Sequence, residues 1–197
     1  MIMKPFNNLE ISNMKRLRLR QWKLEDRKVF RKMGKDPEVM RYFPTLLSFK
    51  EADQLAQRAS DLIDQQGWGF WAVELLETNE FIGFAGLHRQ DPESGIPCTP
   101  FVEIGWRLAR PYWRKGYGYE AAQQALKYAF EVLSCEQIYA FTALINQPSR
   151  RLMTKLGMQN LKKDFDHPKV DHPSLKRHCL YMIKEQEWSN IQSEDSL

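Results

Sequence analysis

The segment 113–118, Trp-Arg-Lys-Gly-Tyr-Gly, constrains the fold of this chain more than any other part of the sequence. An apolar and aromatic run typical of a strand precedes it over residues 101–108, and a helical pattern follows it. Glycines let the backbone take positive φ angles and approach a ligand closely. Because the N–H groups at a helix start face outward with the positive end of the helix dipole, the segment predicts an anion site suited to a diphosphate.

Two other phosphate-binding motifs do not fit this segment. The P-loop requires Gly-x-x-x-x-Gly-Lys-Ser/Thr, which the sequence lacks. The dinucleotide fingerprint requires a third glycine, and Ala121 stands at that position. Two glycines between a strand and a helix also occur without any ligand, so a purely structural role stays open for the segment alone.

The first half of the chain alternates strand and helix patterns. Residues 16–20 alternate polar and apolar side chains, which predicts a half-buried strand. Ser48 and Glu51 form a capping box in front of an amphipathic helix. Short connections then join three strand patterns, which favours antiparallel pairing. These strands are predicted over residues 68–75, 81–87 and 101–108.

The second half continues with a helix after the glycine segment, a buried strand over 138–144 and a short helix that ends at Gly157. Two further strands are predicted over 158–165 and 178–183. We therefore expect a single mixed α/β (α+β) domain with a mostly antiparallel central sheet flanked by helices. The predicted domain spans residues 15–187, with flexible tails over 1–14 and 188–197.

Composition excludes several classes of protein and site. Cys98, Cys135 and Cys179 are far apart and form no CxxC pair, so we expect neither a disulfide framework nor a cysteine zinc site, and we predict a cytoplasmic location. No apolar run reaches the ~18–20 residues that span a bilayer, so no membrane partner is expected. The formal net charge is +4 with acids and bases interleaved, a pattern that does not favour nucleic acid as a partner. The histidines match no standard metal spacing, so no metal is predicted.

Two segments together resemble a known family. Residues 102–108 and 113–121 resemble motif A of the GNAT superfamily of N-acetyltransferases. Residues 146–149 (Asn-Gln-Pro-Ser) and 155–158 (Lys-Leu-Gly-Met) resemble its motif B, in the form typical of the ribosomal-protein N-terminal acetyltransferase (Rim-type) branch. The resemblance covers about residues 14–184 and implies direct transfer of an acetyl group from acetyl-CoA to a primary amine, either a protein N-terminus or a small amine.

The resemblance also implies where acetyl-CoA, the co-substrate, would bind. It would lie where the sheet is splayed, between the strands that end near Leu108 and Leu144. The glycine segment would hold the pyrophosphate with its N–H groups, while the backbone of motif A and the polar side chains of motif B would bind the pantetheine arm. The implied ligands are Trp106, Arg107, Leu108, Arg114, Lys115, Gly116, Tyr117, Gly118, Asn146 and Ser149.

An amine acceptor must lose a proton before it can attack, and Glu103 is the predicted base. A solvated or salt-bridged glutamate is the alternative for this residue. By the resemblance, the position that often holds a proton-donating tyrosine is Met153. Ser149 or Tyr181 would then protonate the thiolate, or it would leave unassisted, since a thiol has a pKa near ~8.5. The missing tyrosine motivates an alternative function, a non-catalytic acyl-CoA-binding regulatory or interaction protein.

The acceptor side is predicted from position alone. Arg41, Tyr42 and Phe43 precede the capped helix, where the related fold lines its acceptor pocket, and Arg41 would meet a carboxylate. The two aromatic residues would otherwise pack the helix pair. His167 is a second candidate for the pocket rim, where it would shuttle protons. The identity of the acceptor stays open, as does the choice between monomer and homodimer.

Overall fold

The computed structural model describes residues 16–194, and the strand and helix patterns of the sequence form one mixed sheet with helices. The strands are β1 (Leu17–Arg20), β2 (Phe70–Leu75), β3 (Phe81–Gln90), β4 (Phe101–Leu108), β5 (Gln137–Ala143), β6 (Gln159–Asn160), β7 (Phe165–Asp166) and β8 (Arg177–Lys184). The helices are α1 (Asp26–Lys35), α2 (Phe49–Gln66), α3 (Tyr117–Lys127), α4 (Gln147–Lys155), α5 (Pro173–Lys176) and α6 (Glu185–Glu194). A π-helical turn, Tyr128–Val132, continues α3.

The sheet has the strand order β1-β2-β3-β4-β5-β8-β6, and β7 pairs with β8. Antiparallel pairing joins β1 to β2, β2 to β3 and β5 to β8. β4 and β5 pair in parallel, with Glu103 opposite Tyr139. The predicted fold class, a mixed and mostly antiparallel sheet flanked by helices, is therefore confirmed.

The chain divides into two compact units, and the first contains the described residues up to Leu87 together with Gly105–Gln124. Its core lies where α1 and α2 pack, around Phe30 and Met33. The predicted capping box at the start of α2 is confirmed, because Ser48 accepts a hydrogen bond from the Glu51 N–H and Glu51 binds the Ser48 N–H in return. Two orphan donors of the helix are thereby satisfied.

A buried ion network also stabilises the first unit. Glu74 of β2 is fully buried, and the Nε of Arg20 donates to its carboxylate at 2.6 Å. Arg20 also donates to buried Asp26 at 2.7 Å. Because an unpaired buried charge is costly, each of these charges needs its partner.

The second unit contains His88–Ile104 and the described residues from Ala125 onward. Its core is aromatic, with Phe101 and Tyr139 stacked at 4.5 Å between ring centroids. Phe165 and Leu180 belong to the same cluster.

Two sequence predictions in the second unit are wrong. The strand predicted over 158–165 is two separate two-residue strands, β6 and β7, because Lys162 takes a positive φ of 55° and interrupts the extended backbone. A flexible tail was predicted over 188–197, but residues 188–194 form the last part of α6. Trp188 is buried there against Phe130, with ring centroids 5.4 Å apart. The tail predicted over 1–14 lies outside the described residues.

None of the helices within residues 16–194 combines the length and the apolar character that a membrane crossing requires.

Candidate functional site

The glycine loop, residues 114–118, follows β4 and a 3-10 turn (Arg110–Tyr112). Arg114 and Gly116 both take left-handed backbone angles, with φ of 58° and 84°. Within residues 16–194, the backbone N–H groups of the loop have no hydrogen-bond partner. α3 begins at Tyr117, so the last two residues of the loop also supply the outward-facing N–H groups of a helix start. Such an arrangement forms a concave set of donors that suits an anion.

Arg16 fixes the loop from a distance of about one hundred residues along the chain. Its Nη1 donates to the Lys115 carbonyl at 2.9 Å, and its Nε donates to Glu120 at 2.8 Å. The guanidinium also lies over the Tyr117 ring, 4.6 Å from the centroid. Glu120 stands in the first turn of α3, where its negative charge would repel a bound phosphate. Arg16 neutralises that charge, and the motif did not predict this contact.

Trp113 joins the loop to the end of β4. Its indole Nε1 donates to the Leu108 carbonyl at 2.7 Å. Arg114 and Lys115 are exposed, so both cations are available to an anion at the loop. The other predicted residues of motif A, Trp106 and Arg107, lie in the last part of β4. The geometry of this loop therefore fits the pyrophosphate of acetyl-CoA.

Glu103 lies in β4 and is partly buried. Burial raises the pKa of its carboxyl to about 8, and a hydrogen bond with Gln90 offsets part of that rise. Within residues 16–194 no cation pairs with Glu103, so the alternative of a salt-bridged glutamate does not describe it. A carboxyl group with a pKa near the working pH is suited to accept a proton.

Asn146 and Ser149 lie together at the start of α4. The Asn146 Oδ1 accepts from the Ser149 N–H at 3.3 Å, and its Nδ2 donates to Thr142 Oγ1 at 2.9 Å. Asn146 is therefore the N-cap of α4, a structural role that the family pattern did not predict. One of its amide hydrogens is left for a ligand.

The predicted proton-donor position is apolar, because Met153 is fully buried in α4. Tyr181, one of the two alternative donors, is buried in β8 and accepts a hydrogen bond from Arg150. The Ser149 hydroxyl has no partner among the described residues and is half-buried.

The predicted acceptor residues of the first unit lie in the turn before α2, residues 41–43. Arg41 is 65% exposed and is 4.0 Å from Glu38. Phe43 is 38% exposed, so it does not serve as core packing for the helix pair. Its ring instead faces the Arg107 guanidinium, which lies 3.8 Å from the ring centroid. This contact involves the Arg107 side chain, whereas the motif had predicted a role for its backbone only.

His167 lies in an aromatic cluster of the second unit, 4.8 Å from His178 between ring centroids. Burial, the neighbouring His178 and Lys169 lower the pKa of His167 to about 4. Its Nδ1 accepts from the Lys169 N–H at 3.1 Å, so the ring is neutral at pH 7 and is a weak base. Among the described residues, no group of His, Cys, Asp or Glu is arranged to hold a metal ion.

Comparison with known proteins agrees with this geometry. The family described as "Acetyltransferase (GNAT) domain" matches residues 16–159. The uncharacterized N-acetyltransferase p20 of Bacillus licheniformis is 32% identical over 165 residues, which cover 82% of this chain and 90% of that protein. The FsC-acetyl coenzyme A-N(2)-transacetylase of Aspergillus fumigatus is 30% identical over 177 residues, covering 85% of this chain and 73% of the relative.

A GNAT-family acetyltransferase from Bacillus anthracis has a similar crystal structure, with a TM-score of 0.72 and 26% identity over 88% of this chain and 97% of that one. The family match extends over most of the chain and includes the glycine loop. The chain therefore belongs to the GNAT family of acetyltransferases, enzymes that use acetyl-CoA as co-substrate.

Proposed function

We propose that this enzyme transfers the acetyl group directly to a primary amine, with Glu103 as the base. The observation that carries the proposal is the partly buried Glu103 of β4, which no cation neutralises among the described residues. The raised pKa, about 8, lets the carboxylate take a proton from an alkylammonium near neutral pH at a modest free-energy cost. A fully solvated glutamate would be a weaker base by several pKa units.

The glycine loop is assigned to the pyrophosphate. Three observations support this assignment: five consecutive N–H groups that have no hydrogen-bond partner among residues 16–194, two exposed cations, and the neutralised Glu120. The backbone of Trp106, Arg107 and Leu108, together with Asn146 and Ser149, is assigned to the pantetheine arm by the family pattern.

When acetyl-CoA is bound, its thioester would supply the acetyl group. The deprotonated amine would form the new C–N bond, the C–S bond would break, and the second proton that the nitrogen loses would pass to solvent. The chain supplies no tyrosine at the usual donor position, because Met153 is a buried thioether. We therefore assign no proton donor to the leaving thiolate, which is stable enough to leave as the anion at slightly basic pH.

The acceptor is a primary amine whose identity is left to experiment. The form of motif B makes a protein N-terminus one candidate acceptor. The name of the Aspergillus relative points to an N2 amine as another. Arg41, Tyr42, Phe43 and His167 are the candidate acceptor contacts. A cytoplasmic location and a monomer or homodimer stay predictions from the sequence.

A direct test incubates the purified protein with acetyl-CoA and a panel of small amines, polyamines and peptides. Release of free CoA thiol and the mass of the acetylated amine are measured together. We expect acetylation by the wild-type chain and a strong loss in Glu103→Gln. Tight binding of acetyl-CoA with no turnover of any amine would favour the non-catalytic acyl-CoA-binding protein instead.

A further inference from the structure

Arg107 places a cation on an aromatic surface of the first unit. Its guanidinium lies 3.8 Å from the centroid of Phe43 and 5.4 Å from that of Phe84. Phe84 in turn packs against Phe70, with ring centroids 5.3 Å apart. Aromatic rings hold a guanidinium by its face and leave the N–H fork at its edge available.

This cation has no anionic partner within residues 16–194. The Arg107 side chain makes no hydrogen bond or ion pair there, and its Nε is buried without an acceptor. Burial alone lowers the pKa of the guanidinium to about 10, so it stays charged at neutral pH. A buried charge without a partner is costly, and natural proteins usually supply one.

Arg20, in the same unit, shows how a buried arginine is usually paired. The side chain of Arg20 is only 11% exposed, and it is paired with both Asp26 and Glu74. Arg41, which its position predicted to meet a carboxylate, is exposed and lies near Glu38. Arg41 therefore has both solvent and a nearby carboxylate to balance its charge, whereas Arg107 has no anionic partner among the described residues.

We propose that the side chain of Arg107 binds a carboxylate of the amine acceptor; this inference rests on the proposed function and narrows its substrate class. The planar N–H fork matches the two carboxylate oxygens, and hydrogen bonds between charged groups are the strong ones. A second ammonium group in place of the carboxylate would be repelled by the guanidinium. The enzyme should therefore prefer amino acids or acidic amines to diamines and polyamines.

The test uses acceptors in matched sets: ω-amino acids of increasing chain length, their carboxamides, and the corresponding diamines. The kcat/KM values are measured for the wild-type chain, Arg107→Gln and Arg107→Lys. Arg58→Gln is the control, because it removes one exposed cation from α2. Calorimetric titration with acetyl-CoA in the same preparations reports cofactor binding separately.

We expect the wild-type chain to prefer the carboxylate over the carboxamide by at least about tenfold, the size of one charge-assisted interaction. Arg107→Gln should reduce that ratio to near one, Arg107→Lys should keep part of it, and Arg58→Gln should leave it unchanged. An equal rate for acid, amide and diamine, or an unchanged ratio in Arg107→Gln, overturns the inference.

Turnover of other amines but of none of the matched acids also overturns it, while the proposed function stands. If acetyl-CoA binds and no amine of any kind is acetylated, the proposed function itself has failed. A reduced overall rate in Arg107→Gln with the ratio intact would mark a purely structural role and contradict the inference.

Discussion

The glycine loop and the turn of residues 41–43 both belong to the first unit, yet they present different chemistry. The loop presents backbone N–H groups, and Arg16 and Trp113 fix it through side-chain contacts. The turn presents the side chains of Arg41, Tyr42 and Phe43, all of them exposed or half-buried. A backbone site depends on a few glycines and on φ angles, whereas a side-chain site changes with each substitution. The difference explains why the cofactor is recognisable from sequence while the acceptor is not.

The largest effect is expected from a change of backbone angle in the loop. Gly116 has φ of 84°, whereas proline requires a φ near −65°. Gly116→Pro should lower the affinity for acetyl-CoA by about 1,000-fold, because it removes roughly two charge-assisted hydrogen bonds at ~2 kcal/mol each. Isothermal titration calorimetry measures this affinity.

Gly67→Ala is the control, because Gly67 has the same left-handed conformation but lies at the end of α2 and is not part of the glycine loop. It should destabilise the fold and leave the acetyl-CoA affinity unchanged. Retained affinity in Gly116→Pro would remove the loop from the cofactor site.

Glu103→Gln should separate catalysis from cofactor binding. We expect kcat to fall by about 100-fold, the lower end of general base catalysis, with the acetyl-CoA affinity unchanged. The base acts in its deprotonated form, which predominates above a pKa of about 8. The ratio of wild-type to variant kcat/KM should therefore rise with pH up to about 8 and level off above it. A ratio that does not change with pH would reject Glu103 as the base.

Arg16 is a side chain on which the backbone site depends, because it holds the glycine loop and neutralises Glu120. Arg16→Gln leaves the Glu120 carboxylate unneutralised at the helix start and should weaken acetyl-CoA binding by about tenfold. Adding Glu120→Gln removes the repulsion and should restore most of the affinity. Calorimetric titration of Arg16→Gln, Glu120→Gln and the double variant with acetyl-CoA gives the coupling free energy between the two residues. Independent, additive losses would argue against this role of the ion pair.

Phe43→Ala tests the turn and should have the smallest effect. Loss of this exposed ring under the Arg107 guanidinium is worth ~0.5–1 kcal/mol, so the KM of the acceptor should rise by roughly two- to fivefold. The acetyl-CoA affinity should stay at its wild-type value, as measured in the same titration. A change in cofactor affinity instead would mean that the turn and the loop are not separate in function.

The sequence predicts those parts of the molecule that depend on neighbours along the chain. Ser48 and Glu51 are three residues apart, and their capping box forms as expected. The contact of Arg16 with Glu120 joins residues 104 positions apart, and no local pattern encodes it. The positive φ of Lys162 likewise interrupts the strand that the apolar pattern predicted over 158–165, and that pattern does not encode it. The polar C-terminal segment became helical because Trp188 is buried, which depends on tertiary packing.

Nuclear magnetic resonance of ¹⁵N-labelled protein tests the central assignment most directly. The backbone amide signals are followed during titration with acetyl-CoA, and then with S-acetylpantetheine, which lacks the diphosphate. If the loop binds the pyrophosphate, acetyl-CoA will shift the amide signals of Arg114, Lys115, Gly116, Tyr117 and Gly118 strongly, and S-acetylpantetheine will leave them nearly unchanged. Equal shifts of these amides with both compounds, or no shift with acetyl-CoA, would contradict the assignment.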